Sequence, residues 1–214
     1  MSLPSAPRVA DRLRAAGVDW IVPDWPAPSR VQAFATTRNG GASGGPYATM
    51  NLGRRTDDDP AALAENLRRL AAYLPSMPVW LEQVHGTAVA TLGASAPAAS
   101  PIADAAVTRE PGVVCAVLIA DCLPVLFASR AGTAVGVAHA GWRGLAAGVL
   151  EATVSAMRVE PGRIRAWLGP AIGAAHFEVG DEVRAAFLAH APDSAGGFTA
   201  NARGRWQCDL ALLA

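Results

Sequence analysis

The stretch AVGVAHAGWRGLAAGVL, residues 134–150, decides how the chain is read. Ala134 to Ala138 are small and apolar, the composition of a buried strand. A loop from His139 to Gly144 follows. Beyond it Leu145, Val149, Leu150, Thr153 and Met157 recur at helical spacing. A strand and an amphipathic helix therefore meet at a turn that carries an imidazole, an indole and a guanidinium, on His139, Trp142 and Arg143. The first amides of a helix point into such a turn and make it an expected anion site. A cation in that first turn opposes the helix dipole, so Arg143 asks for a role.

Working outward, VVCAVLIA (113–120) is a continuous apolar run behind Pro111-Gly112 and reads as a central strand ending at Asp121-Cys122. Val125 to Ser129 and Thr133 to Ala138 read as two further strands about an Ala131-Gly132 turn. VWLEQV (79–84) reads as a short strand ending at His85-Gly86, with Val89 to Leu92 as its hairpin partner. Residues 103–108, Ile164 to Leu168 and Trp206 to Leu210 complete the expected strands, with Val31 to Thr37 near the start. Helices are expected at Ala10 to Ala16, at Asp181 to His190 with Val183 and Phe187 inward, and after Asp59. There Asp59 is a good N-cap, Pro60 fits the first helical position, and Leu63, Leu67, Leu70 and Leu74 form the stripe. The glycine-rich segment TTRNGGASGGPYATMNLG (36–53) reads as a flexible loop or hairpin. Long irregular loops in compact domains are often functional, and this one carries Arg38, Tyr47 and Asn51. Helices and strands do not alternate as in a doubly wound sheet, which points to an α+β fold.

Composition narrows the function. The 214 residues are 51% hydrophobic and 17% charged, with a formal net charge of zero. All the basic residues are Arg, and no basic stripe offers a surface for nucleic acid or an anionic membrane. No apolar run is long enough to span a bilayer, and the first residues lack a signal-peptide core. Three cysteines are too few for a disulfide framework, so a reducing, cytoplasmic setting is expected.

His85, Cys122 and His139 each follow directly on an apolar run. If those runs are neighbouring strands, the three side chains converge at one edge. One Cys with two His is a catalytic zinc set with a fourth position left for water or substrate. Taken singly, a His after a strand is more often a capped or solvated loop residue. Cys122, between Asp121 and Pro124, does not fit a simple core position, whereas Cys115 reads as a small hydrophobe. Asp121 and Asp104 are candidates to orient a ligand or move a proton, with loop capping as the alternative. Arg143 and Arg38 are the cations suited to a phosphate or other anion. His190, near a helix C-terminus, reads as a surface residue, whereas His176, near Gly169-Pro170, could line a site.

The glycine-rich segment, DDDPAALAENLRRL, LEQVHG, ADAAVT, ADCLPVLF, AHAGWRG and WLGPAIGAAHFEVG occur in that order. Together they resemble the YfiH-type family, also called laccase-domain or polyphenol-oxidase-like proteins. The resemblance implies a single-domain layered α/β/β/α sandwich over residues 1–214. It implies a metal, usually zinc, on His85, Cys122 and His139. It also implies purine nucleosides and phosphate as small-molecule partners: phosphorolysis of adenosine, inosine and methylthioadenosine, with deamination of adenosine. Bacterial members are linked to peptidoglycan precursor editing. Two departures stand out. Ala174-Ala175-His176 lies where the family often has a Cys. The family also continues beyond the WQCDL-like strand with a helix and an aromatic-rich segment, so residues 1–214 read as a domain lacking that C-terminal segment.

The leading expectation is therefore a zinc-dependent nucleoside enzyme. His85, Cys122, His139 and Asp121 would form its catalytic centre, and Arg38, Asn51 and Arg143 would bind substrate. A cysteine hydrolase acting on peptidoglycan precursors, with Cys122 as nucleophile, uses the same side chains. A copper polyphenol oxidase is disfavoured, because a multicopper centre needs many closely spaced His and this chain has four with no H-x-H. A non-catalytic nucleoside-binding protein is the fourth reading. Nothing in the sequence reports an oligomeric state.

Overall fold

A computed structural model describes residues 7–95 and 97–214. The start of the Pro-rich N-terminal stretch and Ala96 in the 93–101 loop lie outside them. The chain divides into two compact units, Met1–Met77 and Pro78–Ala214.

The first unit holds helices α1 (Val9–Ala15) and α2 (Pro60–Ala71). The strand expected at Val31 to Thr37 is reduced to one antiparallel bridge, Ile21 to Ala35. The segment between them carries Pro23, Pro26 and Pro28, which have no N–H for a ladder. As expected, Asp59 caps α2, accepting from the Ala61 amide. The buried face of α2 is Ala62, Asn66 and Leu70, with Leu63 and Leu67 only half-buried. The leucine stripe is displaced because a fully buried Asn66 is needed there. Its Oδ1 accepts from Ala42 N at 2.7 Å, and its Nδ2 donates to Ser43 Oγ, Thr49 O and Asn51 O at 2.8, 3.2 and 2.8 Å. One side-chain amide thus pins the glycine-rich loop at four points. Gly41 is required there, since a Cβ would stand 2.0 Å from Thr49 O.

The second unit contains β1 (Val89–Leu92), β2 (Ala105–Thr108), β3 (Leu123–Ser129), β4 (Val135–Ala140), α3 (Trp142–Ala146), α4 (Val149–Ala156) and β5 (Ile164–Leu168). It continues with β6 (Glu178–Val179), α5 (Asp181–His190), β7 (Phe198–Ala200), β8 (Trp206–Cys208) and α6 (Leu210–Leu213). The larger sheet has the order β1-β2-β4-β3-β5 and the smaller β6-β8-β7. Only β1 and β2 run parallel. The fold is α+β with two sheets, as expected. The main core joins Val125 and Phe127 of β3, Leu145 of α3, Val149 of α4, Val183 and Phe187 of α5, and Phe198 and Cys208 of the smaller sheet.

Four expectations are corrected. Residues 79–84 and 113–120 are not strands: they are extended segments joined by one parallel bridge, Val79 to Cys115, with a second bridge from Glu82 to Ile102. Gln83 replaces a backbone ladder, its side chain donating to Leu118 O and accepting from Leu118 N, both at 2.8 Å. β1 is not a hairpin partner of 79–84 but pairs in parallel with β2. The helix after the 139–144 turn begins earlier, at Trp142, and breaks at Gly148, whose φ is 93°. Leu145, Val149, Thr153 and Met157 nevertheless share the buried face. Finally, His139 lies inside β4, opposite Pro124, rather than beyond it.

Candidate metal centre

His139 is 4% exposed on β4, a strand paired on both sides. Its Nδ1 lies 2.8 Å from Asp104 Oδ1. A carboxylate only accepts, so Nδ1 carries the proton and Nε2 presents a lone pair. Asp104 is fully buried just before β2. It also accepts from the amides of Val84, His85 and Gly86 at 3.1, 2.9 and 2.7 Å. The exposed His85 is held by these bonds at φ 60°. Cys122 is half-buried immediately before β3.

These three segments bring the donors together as the sequence suggested, although only His139 comes from a strand. Cys122 Sγ is 3.9 Å from His85 Nε2, and the two imidazole rings are 4.7 Å apart at 73°. All three ligand atoms lie within 4.8 Å of one another, the one such group of three among the described residues. Tetrahedral zinc with bonds of about 2.0–2.3 Å separates its ligand atoms by roughly 3.3–3.8 Å, so the set fits with small adjustments. Space for the donors comes from glycine. A Cβ on Gly141 would stand 2.7 Å from His85 Cδ2 and 3.0 Å from Cys122 Sγ, and one on Gly144 2.8 Å from Gly86 O.

Burial and neighbouring carboxylates shape the electrostatics of this group. Burial pushes the Cys122 thiol up, and the Asp121 and Asp104 carboxylates push it further. Burial pulls the His139 imidazole down and outweighs the Asp104 hydrogen bond, with His85 adding to the depression. Burial raises Asp104, but the His139 bond and the three amides together hold it below the usual carboxylate range. The depressed His139 imidazole and the anchored Asp104 carboxylate suit metal ligation.

The remaining candidates fall in different places. Asp121 is exposed beside Cys122, and its backbone carbonyl accepts from Ile172 N at 2.9 Å. Arg143 is exposed on α3, its guanidinium 4.4 Å from the centre of the Trp142 ring. Arg38 and Asn51 belong to the first unit. Arg38 donates to Ala48 O through Nε and Nη2 at 3.0 and 2.7 Å. Asn51 bonds Thr56, Asp58 and Gly53 within its own turn. His176 is exposed, and His190 lies 3.8 Å from Glu151. Cys115 packs against the Leu92, Ala106 and Val137 cluster, its thiol pushed by burial to about 12. The centrality of Asp104 was not legible in the sequence, where it looked no different from Asp121.

The family model described as "Multi-copper polyphenol oxidoreductase laccase" matches residues 32–214. The chain belongs to this family. Within the laccase family, a purine nucleoside phosphorylase of Pseudomonas aeruginosa is 51% identical over 196 residues, 91% of this chain and 80% of that protein. Purine nucleoside phosphorylase YfiH of Escherichia coli is 58% identical over 171 residues, 79% of this chain and 70% of that protein. The crystal structure of Neisseria meningitidis protein NMB0706 superposes with a TM-score of 0.85 at 47% identity, covering 91% of this chain and 80% of that one. Among the described residues no helix is long and apolar enough to cross a membrane.

Proposed function

We propose that this laccase-family chain is a zinc-dependent purine nucleoside phosphorylase, with adenosine deamination as a second activity of the same centre. The carrying observation is the convergence of His85, Cys122 and His139 in a chain whose relatives bear the name purine nucleoside phosphorylase. The three residues would hold zinc, which supplies an electrophilic centre beside the substrate. Arg143, exposed next to the centre in sequence, is assigned to the phosphate, for which its planar fork of donors is suited. In phosphorolysis a phosphate oxygen bonds to C1′ of the ribose while the glycosidic bond breaks, leaving free base and ribose 1-phosphate. In deamination water replaces the 6-amino group, and ammonia leaves. Asp121 is assigned to proton transfer there: its carboxylate takes a proton from the water and returns it to the departing nitrogen. Arg38, exposed on the glycine-rich loop, is assigned to substrate, and Asn51 to shaping that loop.

Two rival readings are less well supported. A cysteine hydrolase needs a depressed thiol, whereas burial and two carboxylates push Cys122 up. A cation among the donors would reverse that shift. A multicopper oxidase needs more imidazoles than this chain's four, of which His176 and His190 stand outside the three-donor group. Purified protein incubated with adenosine tests the proposal. Adenine and ribose 1-phosphate are expected only when phosphate is present, inosine without it, and neither from Cys122→Ala. Absence of all these products with zinc-loaded protein defeats it.

A further inference from the structure

We propose that Asp104 is the positioning residue of this centre, a single buried carboxylate that sets both the backbone conformation of His85 and the tautomer of His139. The inference rests on reading His85, Cys122 and His139 as metal ligands, and goes beyond it by assigning what aims them.

The geometry is specific to a carboxylate. Oδ2 receives the Val84 and Gly86 amides, while Oδ1 receives the His85 amide and His139 Nδ1. A carboxylate has about four acceptor sites, and here all are used. Three successive amides converging on one anion form a backbone nest. Its middle residue, His85, adopts φ 60°, a left-handed conformation that non-glycine residues seldom take. The same anion orients the imidazole of a second ligand that sits on a different segment. The Asp104 carbonyl also accepts from His139 N at 2.7 Å, so the two residues are joined at backbone and side chain. One acidic residue thereby correlates two ligands contributed by separate parts of the chain.

An Asn in its place keeps the size but not the role. Its Nδ2 would face N–H donors, and its Oδ1 would have to serve the rest alone. A plain structural role would lower the stability of Asp104→Asn without altering the ligand set. A positioning role alters the ligands themselves.

The test measures zinc affinity by competition with a chromogenic chelator, the visible spectrum of the cobalt-loaded protein, and thermal unfolding of the metal-free protein. For Asp104→Asn we expect zinc binding weakened roughly 10- to 100-fold and a changed cobalt spectrum, with the metal-free protein still folded. Wild-type affinity together with a wild-type cobalt spectrum overturns the proposal. Imidazole nitrogen NMR of the wild-type, metal-free protein gives a second reading that does not depend on the variant folding. His139 should carry its proton on Nδ1, and a proton on Nε2 instead overturns the proposal. If the wild-type protein binds no zinc, the metal reading fails on its own, while the His139 tautomer still decides the role of Asp104.

Discussion

Gly141 sits against His85 so closely that a Cβ on it would reach 2.7 Å from the imidazole Cδ2. The same atom would lie 3.0 Å from Cys122 Sγ. The backbone at Gly141, φ −67° and ψ 156°, is one that any residue adopts. Glycine is therefore required for space and not for conformation. Gly141→Ala should fold normally yet bind zinc at least about tenfold more weakly, because both donors must move. Chelator competition beside a melt of the metal-free protein checks this; unchanged affinity would show that the neighbouring side chains yield freely.

Asn66 is the second structural dependence. Replacing it with Leu leaves the Ala42 amide and three acceptors of the glycine-rich loop without their partner. Unsatisfied buried polar groups cost about 1–3 kcal/mol, so Asn66→Leu should destabilise the first unit by roughly 2–4 kcal/mol. Urea unfolding measures the loss, and hydrogen exchange should show faster exchange at the Ala42 amide.

Glu65 predicts a pH effect. Hydrogen bonds from Arg68 and then Arg69 lower its carboxyl from the ordinary 4.5 to about 2. A depressed acid stabilises the folded state above its unfolded pKa and loses that contribution as pH falls. The loss should run from about 4.5 down to about 2 and be small, since the pair is solvent-screened. Melting curves of wild type and Glu65→Gln should converge toward the acid end of that window; a constant gap from neutral pH to pH 2 would contradict the assignment.

Gly148 separates α3 from α4 at φ 93°. An Ala there meets nothing closer than Glu151 Oε2 at 3.5 Å, so the penalty is conformational. Gly148→Ala should cost about 1–2 kcal/mol, and Asn less, because Asn tolerates left-handed geometry better. Equal stability of the Ala variant would mean that the helices can merge.

Much of this architecture was readable from local pattern. β3, β4, β5 and α5 follow apolar periodicity between turn residues, and Asp59-Pro60 announced a helix start. The segments 79–84 and 113–120 were misleading because apolar content reports burial, not the backbone partner. There a side-chain amide, Gln83, occupies the place of a strand. The donors His85, Cys122 and His139 were legible because each lies at the end of an apolar run. What organises them was not, since the convergence of Val84, His85 and Gly86 on Asp104 links residues far apart in sequence. Asn66 was hidden for a related reason: a polar residue between leucines looks solvent-facing until the loop it holds is known.

The break at Gly148 has a consequence for how an anion is met at this corner. It leaves α3 as five residues, too short to sum an appreciable axial dipole at Trp142. The positive charge that α3 itself offers is then the exposed guanidinium of Arg143, lying over the Trp142 ring. Attraction from an exposed cation fades over about 10 Å at 0.1 M salt. The phosphate capture proposed for Arg143 should accordingly be ionic-strength-dependent. Added chloride should raise the KM for phosphate while leaving the KM for an uncharged nucleoside nearly unchanged.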